Sequence, residues 1–144
     1  MLEPIINHQK EIKEIFKKME FLRDNFNFQN PAPFLEELCD LVKKMQDELE
    51  YHFNLQVYSV GTNEKAKKFV MENMLLRDIL FRMLKFIKNK CEESSIEAFS
   101  KFDDFEEILK AYLKKERGLF IEQLKTVLNK DEILEIERRL KSLL

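Results

Sequence analysis

The feature that most constrains this chain is the near absence of residues that interrupt a helix, with two glycines and three prolines spread over 144 residues. Tight turns and hairpins draw on glycine's backbone freedom and proline's fixed φ, so a turn-rich β-barrel, a collagen and a flexible linker are excluded at the outset. Between the few breaks, apolar residues return every three or four positions, the period of a helix with one face turned inward. Ile5, Ile12, Ile15, Met19, Leu22 and Phe26 mark such a stripe between Leu2 and about Phe26. Asn30 with Pro31 then reads as a cap followed by a first helical residue. The second stripe carries Leu35, Leu38, Val42, Met45 and Leu49 and ends near Gly61. Thr62 is the expected N-cap of a third helix, along which Phe69, Leu76, Leu80, Met83 and Ile87 recur. After the connection CEESSIEAFS, Ser100 with Asp103 suggests a capping box. The fourth helix that follows holds Phe105, Leu109, Leu119 and Leu124, with a bend expected at Gly118. Asn129 and Glu132 form another capping signal before a short helix with Ile133, Ile136, Leu140 and Leu143.

Long helices joined by short connections predict an all-α fold: an up-and-down antiparallel four-helix bundle with a short C-terminal helix, residues 1–144 forming one domain. The terminal helix either covers one end of the bundle or offers its apolar side to another subunit. Thirteen phenylalanines and a hydrophobic share of 44% argue for a packed core and against disorder. The balance of 25 Lys and Arg against 27 Asp and Glu gives no case for nucleic acid or an anionic membrane face as partner. No run of roughly 18 apolar residues exists, and the start MLEPIINHQK lacks the pattern of a secretory signal, so the expected location is the cytoplasm. Cys39 and Cys91 belong to no CxxC motif and read as buried helix residues rather than catalytic thiols.

The informative residues are polar ones standing where apolar ones are due. His8, His52, Gln56, Asn73, Tyr112 and Glu116 all fall on or beside the predicted inward stripes, and they come from all four long helices. His52 and Gln56 are four apart, as are Tyr112 and Glu116, so each pair projects from neighbouring turns of one helix face. Buried polar groups need partners, and such a set can satisfy itself as a hydrogen-bond network or hold a cation. As a metal site, His8, His52 and Glu116 would be the ligands, with water in open positions and Tyr112 as an accessory donor; mixed nitrogen and oxygen donors suit iron or zinc.

The ordered landmarks along the chain resemble the hemerythrin-like HHE cation-binding family: His8 near the start, His52 with Gln56 four residues on, Asn73 in ENMLLRDIL, and the late YLKKERGLF. The resemblance spans essentially the whole chain and implies a four-helix bundle that commonly binds two irons, in some members to carry or sense dioxygen or to handle iron. His8 resembles the family's early histidine and His52 the histidine of the first histidine-plus-carboxylate segment. Gln56 stands where that segment usually has its bridging carboxylate, and Asn73 where the third helix usually offers histidine. Glu116 matches the late carboxylate if Tyr112 takes the histidine position; the competing register puts Ala111 and Lys115 there, and neither register supplies the histidine.

The function expected from these substitutions is a noncatalytic regulatory or interaction module without a resident cofactor, whose partner is another protein or a second copy of itself. The alternative is a divergent iron- or other cation-binding protein, involved in oxygen or metal sensing. No glycine-rich phosphate cradle and no local nucleophile motif points to an enzyme.

Overall fold

A computed structural model describes residues 2–144, and within them the chain is all-helical, with no strand. Helix α1 spans Glu3–Asp24, with Pro4 in its first turn, where its missing N–H leaves no bond unmade. Helix α2 spans Ala32–Tyr58, α3 Lys67–Glu92 and α4 Phe102–Arg117; a π-helical stretch, Gly118–Gln123, leads to the single turn α5, Leu124–Val127, and then to α6, Lys130–Leu143. No described helix is long and apolar enough to cross a membrane.

Three of the expected helix starts are corrected. The N-cap of α2 is Pro31, with no side-chain cap, so Asn30 does not close that helix. Thr62 ends a 3-10 turn, Val60–Thr62, and its hydroxyl donates back to the Ser59 carbonyl. The fold before α3 is organised by Asn63, whose side-chain oxygen accepts from the backbone N–H groups of Lys65 and Ala66. Ser100 lies inside a second 3-10 stretch, Ile96–Lys101, that is capped by Ser95; α4 itself starts from Lys101 without a side-chain cap. Thr62 and Ser100 each found a nearer backbone partner, three residues back, than the helix they seemed to announce. The capping box of Asn129 and Glu132 is present as read. Glu132 also accepts from Asn63 and Lys65, which ties the start of α6 to the α2–α3 connection. The break expected at Gly118 takes the form of the π-helical stretch that begins there.

Helix α1 packs on α2, α2 on α3 and α3 on α4, while α6 returns to α2. Helices α1 and α4 run in opposite directions, since Gln9 reaches Leu113 near the end of α4 and Arg23 pairs with Asp103 at its start. Their mutual contact is sparse compared with that of the other neighbours.

The apolar interior is divided in two. One cluster holds Ile12, Met19, Leu38, Met45, Leu84, Phe102 and Phe105 among others, and the second gathers Leu2, Ile5, Phe53, Phe69 and Phe120 with Ile136 and Leu140 of α6. The terminal helix therefore covers part of the chain's own core. Between the clusters in sequence lie Gln9 on α1, His52 on α2, Asn73 on α3 and Glu116 on α4, with Gln56 one turn beyond His52, none more than 2% exposed. Cys91 is buried and Cys39 half-buried, a correction for the latter; the two thiols face one another, and burial pushes both upward from the ordinary thiol range, so they stay protonated.

Candidate functional site

The six polar residues singled out in the sequence divide into five that come together and one that stands apart. Glu116 is the hub. Both of its oxygens face His52 Nε2, at 2.6 and 2.7 Å, and it accepts further bonds from Gln9 Nε2 at 2.8 Å and from Gln56 Nε2. Gln56 Nε2 also lies 3.3 Å from the Tyr112 hydroxyl. Asn73 is fully buried, but neither its oxygen nor its nitrogen has a hydrogen-bond partner, and Gln56 Oε1 is likewise unpartnered. Tyr112 and Glu116 are buried while Ala111 and Lys115 are exposed, so of the two late registers the former faces inward.

His8 extends the cluster toward solvent. Its Nδ1 lies 2.9 Å from His52 Nδ1, and its Nε2 lies 2.7 Å from Glu48 Oε2, whose side chain is 40% exposed. The two imidazoles stack with centroids 5.1 Å apart, and Tyr51 packs edge-on against His8. The result is a chain Glu48, His8, His52, Glu116 that runs from the surface into the core. Its three links need three protons, because each joins two atoms that cannot both be lone pairs. Two neutral imidazoles supply two, so the fully bonded chain with both carboxylates ionised carries one further proton on the histidine pair. In that fully bonded state His52 Nε2–H donates to Glu116, His8 Nε2–H donates to Glu48, and one Nδ1–H is shared between the rings.

Burial, reinforced by the charge of Glu116, raises the Tyr112 phenol well above its ordinary range, so it remains a neutral hydroxyl. Arg77 stacks its guanidinium over Phe53 at 4.6 Å and Phe81 at 4.8 Å and donates to Asp78, leaving its Nε without a partner. Its positive charge acts on Tyr112 in the opposite sense but does not outweigh burial.

Two members of the cluster escaped the sequence reading, and each had left a signal. Gln9 completes the buried series Ile5, Gln9, Ile12, Phe16 and Met19 at helical spacing, whereas His8 lies at the edge of that stripe and turns toward α2. Glu48 stands four residues before His52, the spacing at which side chains share one helix face. Among the described residues, no group of three His, Cys, Asp or Glu is arranged to hold a metal ion. The nitrogen and oxygen atoms that would be ligands are directed at each other. Comparison of the chain with protein-family models, with curated proteins and with solved structures found no match.

Proposed function

We propose that this chain is a noncatalytic regulatory or interaction module built on a hemerythrin-like, up-and-down four-helix bundle, in which a hydrogen-bonded polar layer occupies the place of a di-iron shell. The observation that carries the reading is the engagement of His52: its Nε2 is held by both oxygens of Glu116 and its Nδ1 by His8. A di-iron centre needs several anionic oxygen donors around two cations. Here Glu116 is the one carboxylate inside the layer, amides stand at Gln56 and Asn73, and this donor set does not fit such a centre. An interaction role is supported by Met71, Met74 and Leu75, which share one exposed stretch of α3.

A second reading, a single cation bound by His8, His52 and Glu116 with Tyr112 nearby, is favoured by the unpartnered buried oxygen of Gln56, a hard donor of the kind a cation would use. Mass-spectrometric metal analysis of natively purified protein, with amino-acid quantification of the same sample, separates the two. The expected result is metal far below one equivalent. Near-integer iron or zinc whose removal abolishes binding to a partner would overturn the first reading in favour of the second.

A further inference from the structure

Helices α1 and α4 leave an open groove of about 440 Å³ between them, and its lining has the same spacing on both sides. On α1 the lining positions are Gln9, Lys13, Phe16, Lys17 and Glu20; on α4 they run from Glu106 through Leu109 and Leu113 to Arg117. Each set covers three turns of helix, so the groove is about 16 Å long at 1.5 Å per residue. Phe16, Leu109 and Leu113 form its floor. The lips are basic: Lys13 and Lys17 on one side face Lys110, Lys114 and Arg117 on the other.

Five cations against two acids, Glu20 and Glu106, make an unbalanced seam, where facing helices commonly match opposite charges. Like charges on both lips oppose closure, in keeping with the sparse contact between α1 and α4. Of the five cations only Lys110 has an acidic partner, Glu106 at 2.6 Å; Lys13, Lys17, Lys114 and Arg117 make no ion pair with any described residue. The concentration of free positive charge is local, since the whole chain has a net charge of -2. It is also lopsided along the groove. Glu20 and Glu106 lie toward the end where Arg23 meets Asp103, and a second cavity of about 340 Å³ adjoins the other end, adding Lys10 to Lys13 and Arg117.

We propose that this groove binds a single-chain anionic amphiphile, a fatty-acid-like carboxylate free in solution. The alkyl chain lies on Phe16, Leu109 and Leu113 between the methylene stems of the lysines, and the carboxylate sits among Lys13, Lys114 and Arg117. The dimensions favour this occupant over a protein helix. Eleven residues line the groove, fewer than the roughly 20 to 30 that one side of a stable protein interface commits. An extended dodecyl chain, about 15 Å long, matches the length of the groove. Gln9 gives such a ligand a route to the buried layer, because it lines both cavities while its side-chain amide donates to Glu116 and to the Leu113 carbonyl. This inference goes beyond the proposed function and does not depend on the metal question.

The test is a calorimetric titration of the full chain with dodecanoate below its micelle concentration, repeated on the double variant Lys13→Glu/Lys114→Glu. Both lysines are exposed, and a matching thermal melt verifies that the variant is folded. Saturable one-to-one binding is expected, weakened by at least about tenfold in the variant and weakened in the wild type by added salt. Butyrate, which lacks the chain, and dodecyltrimethylammonium, which inverts the charge, should bind far more weakly. Absence of saturable dodecanoate binding, equal binding of dodecyltrimethylammonium, or an affinity unchanged by the double substitution would overturn the proposal. So would binding to phosphatidylglycerol vesicles without binding of soluble dodecanoate.

Discussion

The apolar cluster around Met45 and Leu84 and the polar layer around Glu116 are equally buried, yet they are held together by different physics. In the cluster every side chain is interchangeable in kind, and its loss is felt as lost transfer energy plus a cavity. In the layer the bonded groups depend on one another: Glu116 serves three donors, each no more than 2% exposed. The lesson is that equal burial does not mean equal tolerance, and the two regions should respond differently to truncation.

The largest effect is expected at the hub. Glu116→Ala leaves His52 Nε2 without a partner, takes from Gln9 and Gln56 one of the two acceptors each has, and should destabilise the fold by about 3 to 5 kcal/mol, read from urea unfolding. Leu84→Ala, a truncation at a fully buried apolar position, should cost about 3 kcal/mol with no change in histidine chemistry. If the hub variant proved the milder of the two, the distinction between the regions would be broken. Asn73→Ala sharpens it, because an amide with no partner has no bond to lose: a change within about 1 kcal/mol is expected despite complete burial.

The smallest effect lies outside both regions, at Glu132. Bonds from Lys65, Asn63 and the Asn129 backbone hold its carboxyl down to about 2, below the ordinary carboxylate range. A group depressed in this way contributes stability that is present above the ordinary range and lost as pH falls through about 2. The α6 end should therefore loosen on acidification over that window, and Lys65→Ala should move the Glu132 carboxyl titration, followed by carbon NMR, back upward.

The helices were legible because their signal is repetitive. Stripes such as Leu35, Leu38, Val42, Met45 and Leu49 register the same fact many times, and one misplaced residue does not alter the reading. Caps are single events, which is why Thr62 and Ser100 announced starts that local hydrogen bonds placed elsewhere, and why Asn30 announced a cap that α2 does not use. The buried layer was legible through the same stripes, as polar residues in apolar positions. What the stripes could not carry was pairing between helices. The reach of Gln9 to Glu116 and of Glu48 to His8 spans 107 and 40 positions and depends on packing that no local pattern encodes. The α1–α4 groove was hidden for the same reason: Lys13 and Lys114 read as ordinary solvated charges until the two helices are set side by side.

The central claim is that the donors of the polar layer are bound to one another, and long-range nitrogen–proton correlation of the imidazole side chains tests it most directly. In metal-free protein His52 Nε2 is expected to carry a proton that exchanges slowly with solvent, because the ring is fully buried and that nitrogen faces both oxygens of Glu116. A His52 ring with an unprotonated Nε2, or one averaging rapidly between tautomers, would contradict it.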